Sequence, residues 1–170
     1  MKNHKCTTAS MNEAVNADRD KPSQEELKSL LEHYQNGQFN DAEKLAVSIT
    51  NKFPKYQFGW KVLGVVLKQT GRVIDALNAM QKSVKLAPQD AEAHSNLGVT
   101  LKELGRLEEA EASYTQVIAL KPEDAEGMFN LSITQSYMNN LETEIASLQN
   151  VLRIDSNYYG LRAGVNLAIC

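Results

Sequence analysis

Residues 91–124 read AEAHSNLGVTLKELGRLEEAEASYTQVIALKPED, and their punctuation recurs along the chain. Pro122 has counterparts at Pro54 and Pro88, Gly105 at Gly37 and Gly71, and Ala110 at Ala42 and Ala76, always 34 residues apart. A fixed period of this size marks units that cannot bury their apolar faces alone and must stack on their neighbours. Contacts in such a stack run mainly between adjacent repeats, and the product is an extended surface whose default use is to hold another molecule.

Within the quoted stretch, Leu97, Leu101 and Leu104 recur at helical spacing, and so do Leu107, Ala110, Tyr114, Val117 and Leu120. Gly105 separates the two runs, which predicts two helices joined by a tight turn. Pro122 cannot continue the second helix, and Asp90 and Asp124 are natural N-caps for the helices that follow them. Numbering each unit from 1 to 34 gives units 23–56, 57–90, 91–124 and 125–158, preceded by a disordered tail over 1–22 and followed by a terminal or truncated helix over 159–170. Ser23 and Glu26 form a capping box that starts the first helix. Small residues at positions 8 (Gly64, Gly98, Ser132) and 20 (Ala42, Ala76, Ala110) let helix backbones approach, with Trp60, Leu63, Met80 and Tyr114 interlocking around them. Leu30, at position 8 of the first unit, is expected to be tolerated there because no preceding helix needs the room.

The chain has 170 residues, 42% of them apolar, and a net charge of -3, which offers no wide basic field for nucleic acid or an anionic membrane. No run approaches the roughly 18 uninterrupted apolar residues of a membrane span. The polar stretch from Met1 to Asp20 lacks the apolar segment of a secretory signal, so a cytoplasmic location is expected. Cys6 and Cys170 sit at opposite ends and are expected to be free thiols.

The pattern resembles the tetratricopeptide repeat, most strongly in unit three through Leu97, Gly98, Gly105, Ala110, Tyr114 and Pro122, then in unit two through Trp60, Leu63, Gly64, Ala76 and Pro88. The resemblance implies an all-α, right-handed superhelical solenoid whose first helices line a concave groove. It places Lys61, Ser95 and Phe129 at groove position 5, Asn96 and Asn130 at 6, Val65, Val99 and Ile133 at 9, and Lys68 and Lys102 at 12. An Asn amide can bracket a peptide bond without reading its side chain. The paired asparagines and the stretch Ser95-Asn96-Leu97-Gly98 resemble the repeat region of protein O-linked N-acetylglucosamine transferases. A chaperone-type carboxylate clamp would need Asn where Val65 stands, and is incomplete. The resemblance implies a non-enzymatic module that binds a protein or peptide; the alternative is the substrate-recruiting arm of a larger glycosyltransferase, sulfotransferase or methyltransferase.

No phosphate loop, dinucleotide glycine pattern or zinc spacing is present, and no cofactor is expected. His33 and His94 fall where the repeat packs aromatic rings, so structural roles are expected, and Asn130-Leu131-Ser132 matches a glycosylation acceptor by chance inside a helix. Glu108, Glu109 and Glu111 read as a solvated face balanced in part by Arg106. At the far end Leu161, Val165, Leu167 and Ile169 are apolar, so that helix is expected either to fold back as a lid or to belong to something longer, in which case its exposed face would favour self-association. Unit four departs from the pattern at Asn139, Glu144 and Ser156, and a carboxylate at a helix crossing is costly. Glu144→Ala should therefore raise the thermal midpoint; an unchanged or lower midpoint rejects this register.

Overall fold

Ser23 opens the first helix with the reciprocal bonds its spacing predicts: Glu26 N–H donates to Ser23 Oγ at 3.1 Å, and Ser23 N–H donates to the Glu26 carboxylate at 2.9 Å. The backbone bond from Ser23 holds the Glu26 carboxyl below its ordinary range. The computed structural model describes residues 21–138 and position 149. Within these, α1 spans Gln24–Gln35, α2 Phe39–Lys52, α3 Gln57–Gln69, α4 Val73–Leu86, α5 Ala91–Glu103, α6 Leu107–Leu120 and α7 Ala125–Tyr137. Helix is the only regular structure among the described residues. Residues 1–20, the departures at Asn139, Glu144 and Ser156, and the expected terminal helix with Leu167 and Cys170 lie outside the described residues.

The turns inside the pairs are one device used three times. Gly37, Gly71 and Gly105 have φ of 71°, 80° and 71°, a left-handed conformation in which a side chain is strained. The next residue then reaches back: Gln38 N–H donates to His33 C=O at 2.8 Å, Arg72 to Leu67 at 2.9 Å and Arg106 to Leu101 at 2.9 Å. These are the long bonds of a Schellman motif, and they satisfy carbonyls the helix end would leave open. Between pairs, Asp90 accepts from Ala93 N–H at 3.1 Å and Asp124 from Gly127 N–H at 3.0 Å, the N-caps the sequence predicts. Position 4 adds a further tie. Trp60 Nε1–H donates to Pro54 C=O at 2.9 Å, and His94 Nε2 lies 3.0 Å from Pro88 C=O. A carbonyl can only accept, so His94 carries its proton on Nε2. His33 Nδ1 is 2.8 Å from Gln38 Oε1, so both histidines serve the structure.

Each helix packs on its sequence neighbours, and α3 also touches α5, and α5 touches α7. The core runs through Leu30, Ile49, Leu63, Val66, Met80, Leu97 and Tyr114. Its logic is facing volumes. A Cβ on Gly64 would lie 2.6 Å from Met80, and one on Gly98 2.8 Å from the Tyr114 ring. Position 8 is thus empty because position 24 of the partner helix is large. The first pair inverts the assignment: Leu30 is completely buried and Ala46 stands at position 24. No described helix precedes the one that carries Leu30, and its side chain is core, its bulk standing in for what Met80 and Tyr114 supply in the next pairs. A second set of facing volumes joins the pairs. A Cβ on Gly59 would meet Ile49 at 2.9 Å, and one on Gly127 would meet Val117 at 2.7 Å. This contact between positions 3 and 27 is absent from the sequence reading, which gave the packing to positions 8 and 20.

Tyr114 is fully buried with no hydrogen-bond partner for its hydroxyl among the described residues, and burial, with the charge of Glu126, pushes the phenol well above its ordinary range. An unpaired buried hydroxyl costs about 1–3 kcal/mol; the ring offsets it by filling the space over Gly98. The acidic run on α6 is also more than a solvated face. Arg106 pairs with Glu109 at 2.6 Å and 2.7 Å, but Glu111 accepts from the buried Gln135 of α7 at 2.8 Å and so joins two helices.

Gly98→Leu should destabilise the chain by about 1–3 kcal/mol through overpacking, and Tyr114→Ala by about 3–5 kcal/mol through a cavity. The double variant, which copies the Leu30 and Ala46 arrangement, should lose at least about 1 kcal/mol less than the sum in denaturant melts. Strict additivity would reject the exchange of volume.

Candidate functional site

Among the described residues α4 takes up one side of α3 and α6 one side of α5, and α2, α4 and α6 of the preceding pairs take up another side of α3, α5 and α7. The first helices α3, α5 and α7 therefore adjoin along one open face. Along it stand Val65, Val99 and Ile133, one period apart and all partly buried. Ser95 and Asn96 on α5 and Phe129 and Asn130 on α7 are also partly buried. The structure thus places the predicted apolar strip and the amide pair on successive helices. The amide row does not continue to α3, because Val62, at the same position, is 93% withdrawn from solvent with a relative exposure of 7%.

The three lysines separate into different environments. Lys61 Nζ lies 3.1 Å from Asp90 and 2.7 Å from Glu92, and 5.8 Å from the centre of the Phe58 ring. Its charge is neutralised inside the fold. Lys68 meets the half-exposed Glu103 at 3.5 Å. Lys102 Nζ approaches Asn130 Oδ1 at 3.4 Å, and no carboxylate pairs with it among the described residues. Burial, followed by the charge of Lys68, lowers the Lys102 ammonium below its ordinary range. An ammonium only donates, so the amide atom facing it is the oxygen, and the Asn130 NH2 is the part left for a ligand.

Asp90 is the centre of the junction between the second and third pairs. It caps α5, receives Lys61, and accepts from Gln57 Nε2 at 2.9 Å, which also donates to Ser83 Oγ at 2.8 Å. Burial works to raise its carboxyl, but the bonds from Ala93, Lys61 and Gln57 and the Lys61 charge outweigh it and hold the group below the ordinary range. Burial likewise works to lower Lys61, and the bonds and charges of Glu92 and Asp90 reverse it to a raised value.

A second depression was missed by the sequence reading. Leu27, Leu31, Tyr56 and Phe58 line it between α1 and α3, with Leu31 at 38% exposure. The groove register that selected Val65 and Val99 picks out Leu27 and Leu31 when applied to the first unit, so the signal was in the sequence. A third lies against Val99, Lys102, Leu107 and the exposed ring of Tyr137. Among the described residues no group of three or more His, Cys, Asp or Glu is placed to hold a metal, and no helix is long and apolar enough to cross a membrane.

A carboxyl with a lowered folded pKa adds stability that is complete above its unfolded pKa and disappears as pH falls through the folded value. Asp90→Asn should therefore lower the melting temperature at neutral pH, with the gap to wild type closing on acidification through the ordinary aspartate range and below. A gap independent of pH would remove Asp90 as the charged centre of this junction.

Comparison with known proteins agrees with this geometry. The family profile described as tetratricopeptide repeat matches residues 91–124. A crystal structure of MamA is similar with a TM-score of 0.73 and 21% identity, over 78% of this chain and 76% of that one. YrrB, described as a TPR protein with an unusual peptide-binding site, is similar with a TM-score of 0.72 and 21% identity, over 81% of this chain and 70% of that one. MamA 41-end from Desulfovibrio magneticus RS-1 has a TM-score of 0.71 and 18% identity, over 77% of this chain and 74% of that one. No curated protein matches the chain. The helix pairs, their glycine turns and their stacking make this chain an all-α solenoid of the tetratricopeptide repeat type.

Proposed function

We propose that the chain is a non-enzymatic protein-interaction module that takes an extended peptide or a partner helix along the face built by α3, α5 and α7. The observation that carries this reading is the partly exposed strip from Val65 through Val99 to Ile133, flanked by Asn96 and Asn130 on successive helices. Apolar contact from the strip and Phe129 supplies affinity, and main-chain bonds to the amides supply orientation without strict selection of side chains. Ser95, Lys68 and Lys102 form the polar margin, and Lys61 supports the face from below through Asp90 and Glu92. The peptide-binding site of YrrB, a similar fold, supports the reading. The amide pair also resembles the asparagine ladder of O-linked N-acetylglucosamine transferases. The recruiting-arm alternative is not favoured, since the similar structures described above are MamA and a peptide-binding TPR protein.

Affinity capture from a cell extract, with wild type and an Asn96→Ala/Asn130→Ala variant of equal helicity and melting temperature, tests the face. Partners lost from the variant are the expected result. An identical set of partners on both baits would move binding away from this face.

A further inference from the structure

Among the described residues the open face carries three lysines, and one of them pairs with no carboxylate. Lys61 is held by two carboxylates and Lys68 by one, whereas Lys102 is partly withdrawn from water, close enough to Lys68 to feel its charge, and among the described residues bonded only to a neutral amide oxygen. A partly dehydrated cation near a second cation is less well stabilised in the free protein than an exposed one. A carboxylate arriving at this point gains more than one arriving at an exposed lysine, because part of the desolvation has already occurred. The same Lys102 borders a depression lined by Val99, Leu107 and Tyr137, and the Glu103 carboxylate that also borders it is engaged by Lys68 at 3.5 Å. An acidic group and an apolar group on one ligand can therefore be met at adjacent points.

Resting on the reading of this face as a peptide groove, we propose that its ligand is an extended protein segment carrying an Asp or Glu that pairs with Lys102 and accepts from the Asn130 NH2, with a neighbouring apolar side chain against Val99, Leu107 and Tyr137. Asn130 is then a donor only, its oxygen being used to hold Lys102. Selectivity for the acid comes from Lys102 and not from Lys61, although Lys61 stands at the position a carboxylate clamp would use.

Selection from a random peptide display library on the whole chain, followed by fluorescence anisotropy of an enriched peptide, tests this. Enriched peptides should share an Asp or Glu next to an apolar residue. Neutralising that acid to Asn or Gln should weaken binding about tenfold to wild type and less than about twofold to Lys102→Gln, while Lys102→Gln melts no lower than wild type. Equal weakening on both proteins, or enriched peptides without a shared acid that still lose binding to Asn96→Ala/Asn130→Ala, would overturn the role of Lys102 and leave the groove reading intact. Peptides that bind Asn96→Ala/Asn130→Ala unchanged, or a library without binders, would overturn both.

Discussion

Complementary volume at the helix crossings is the constraint on which the rest of this molecule depends. The ring and the thioether at position 24 need an empty position 8, as Tyr114 over Gly98 and Met80 over Gly64 show. Ile49 and Val117 at position 27 need an empty position 3 on the next pair, at Gly59 and Gly127. Interiors packed at crystal-like density leave no slack for an added methyl group. These contacts therefore set both the angle inside a pair and the step from one pair to the next. The inversion at Leu30 and Ala46 shows that what is kept is the sum of the facing volumes, not the identity of either residue.

Because α3 and α5 are each gripped from two sides, a third side is left for the face they share with α7, and that face follows from the packing without a dedicated segment. Loose contact between α3, α5 and α7 aligns equivalent positions at the period of the repeat. A side chain repeated in sequence becomes a row in space. Variation between repeats then differentiates the rows, so that one lysine becomes a strut, the next a surface pair and the third a half-buried cation. The Asp90 junction illustrates how closely framework and face are joined, since a single carboxylate caps α5, anchors Lys61 and ties back to Gln57 and Ser83 through one amide.

Much of this was legible in the amino-acid order. The period of Pro54, Pro88 and Pro122 announced the repeat, the capping residues Ser23, Asp90 and Asp124 marked helix starts, and Gly37, Gly71 and Gly105 marked the turns inside the pairs. Capping and turn geometry act over a few residues, so local sequence suffices to specify them. The same register assigns Asn96, Asn130, Val65 and Val99 to successive first helices, and its positions 5 and 9 in the first unit are Leu27 and Leu31.

What only the tertiary structure decided concerns partners separated by most of a repeat. Lys61 meets Asp90 and Glu92, Gln135 meets Glu111, and Lys102 meets Asn130, each across a helix boundary that no short pattern spans. The complete burial of Leu30 belongs here too, because it joins Ala46 of the facing helix in one core cluster rather than depending on its own chain neighbours. Sequence by itself determined the repeat, its helices, their caps and the residues that share a face, since those depend on periodicity and on bonds within a turn or two. Burial, ion pairing and the state of each lysine depend on the distance between side chains brought together by stacking, and that distance exists only once the volumes at the crossings have closed.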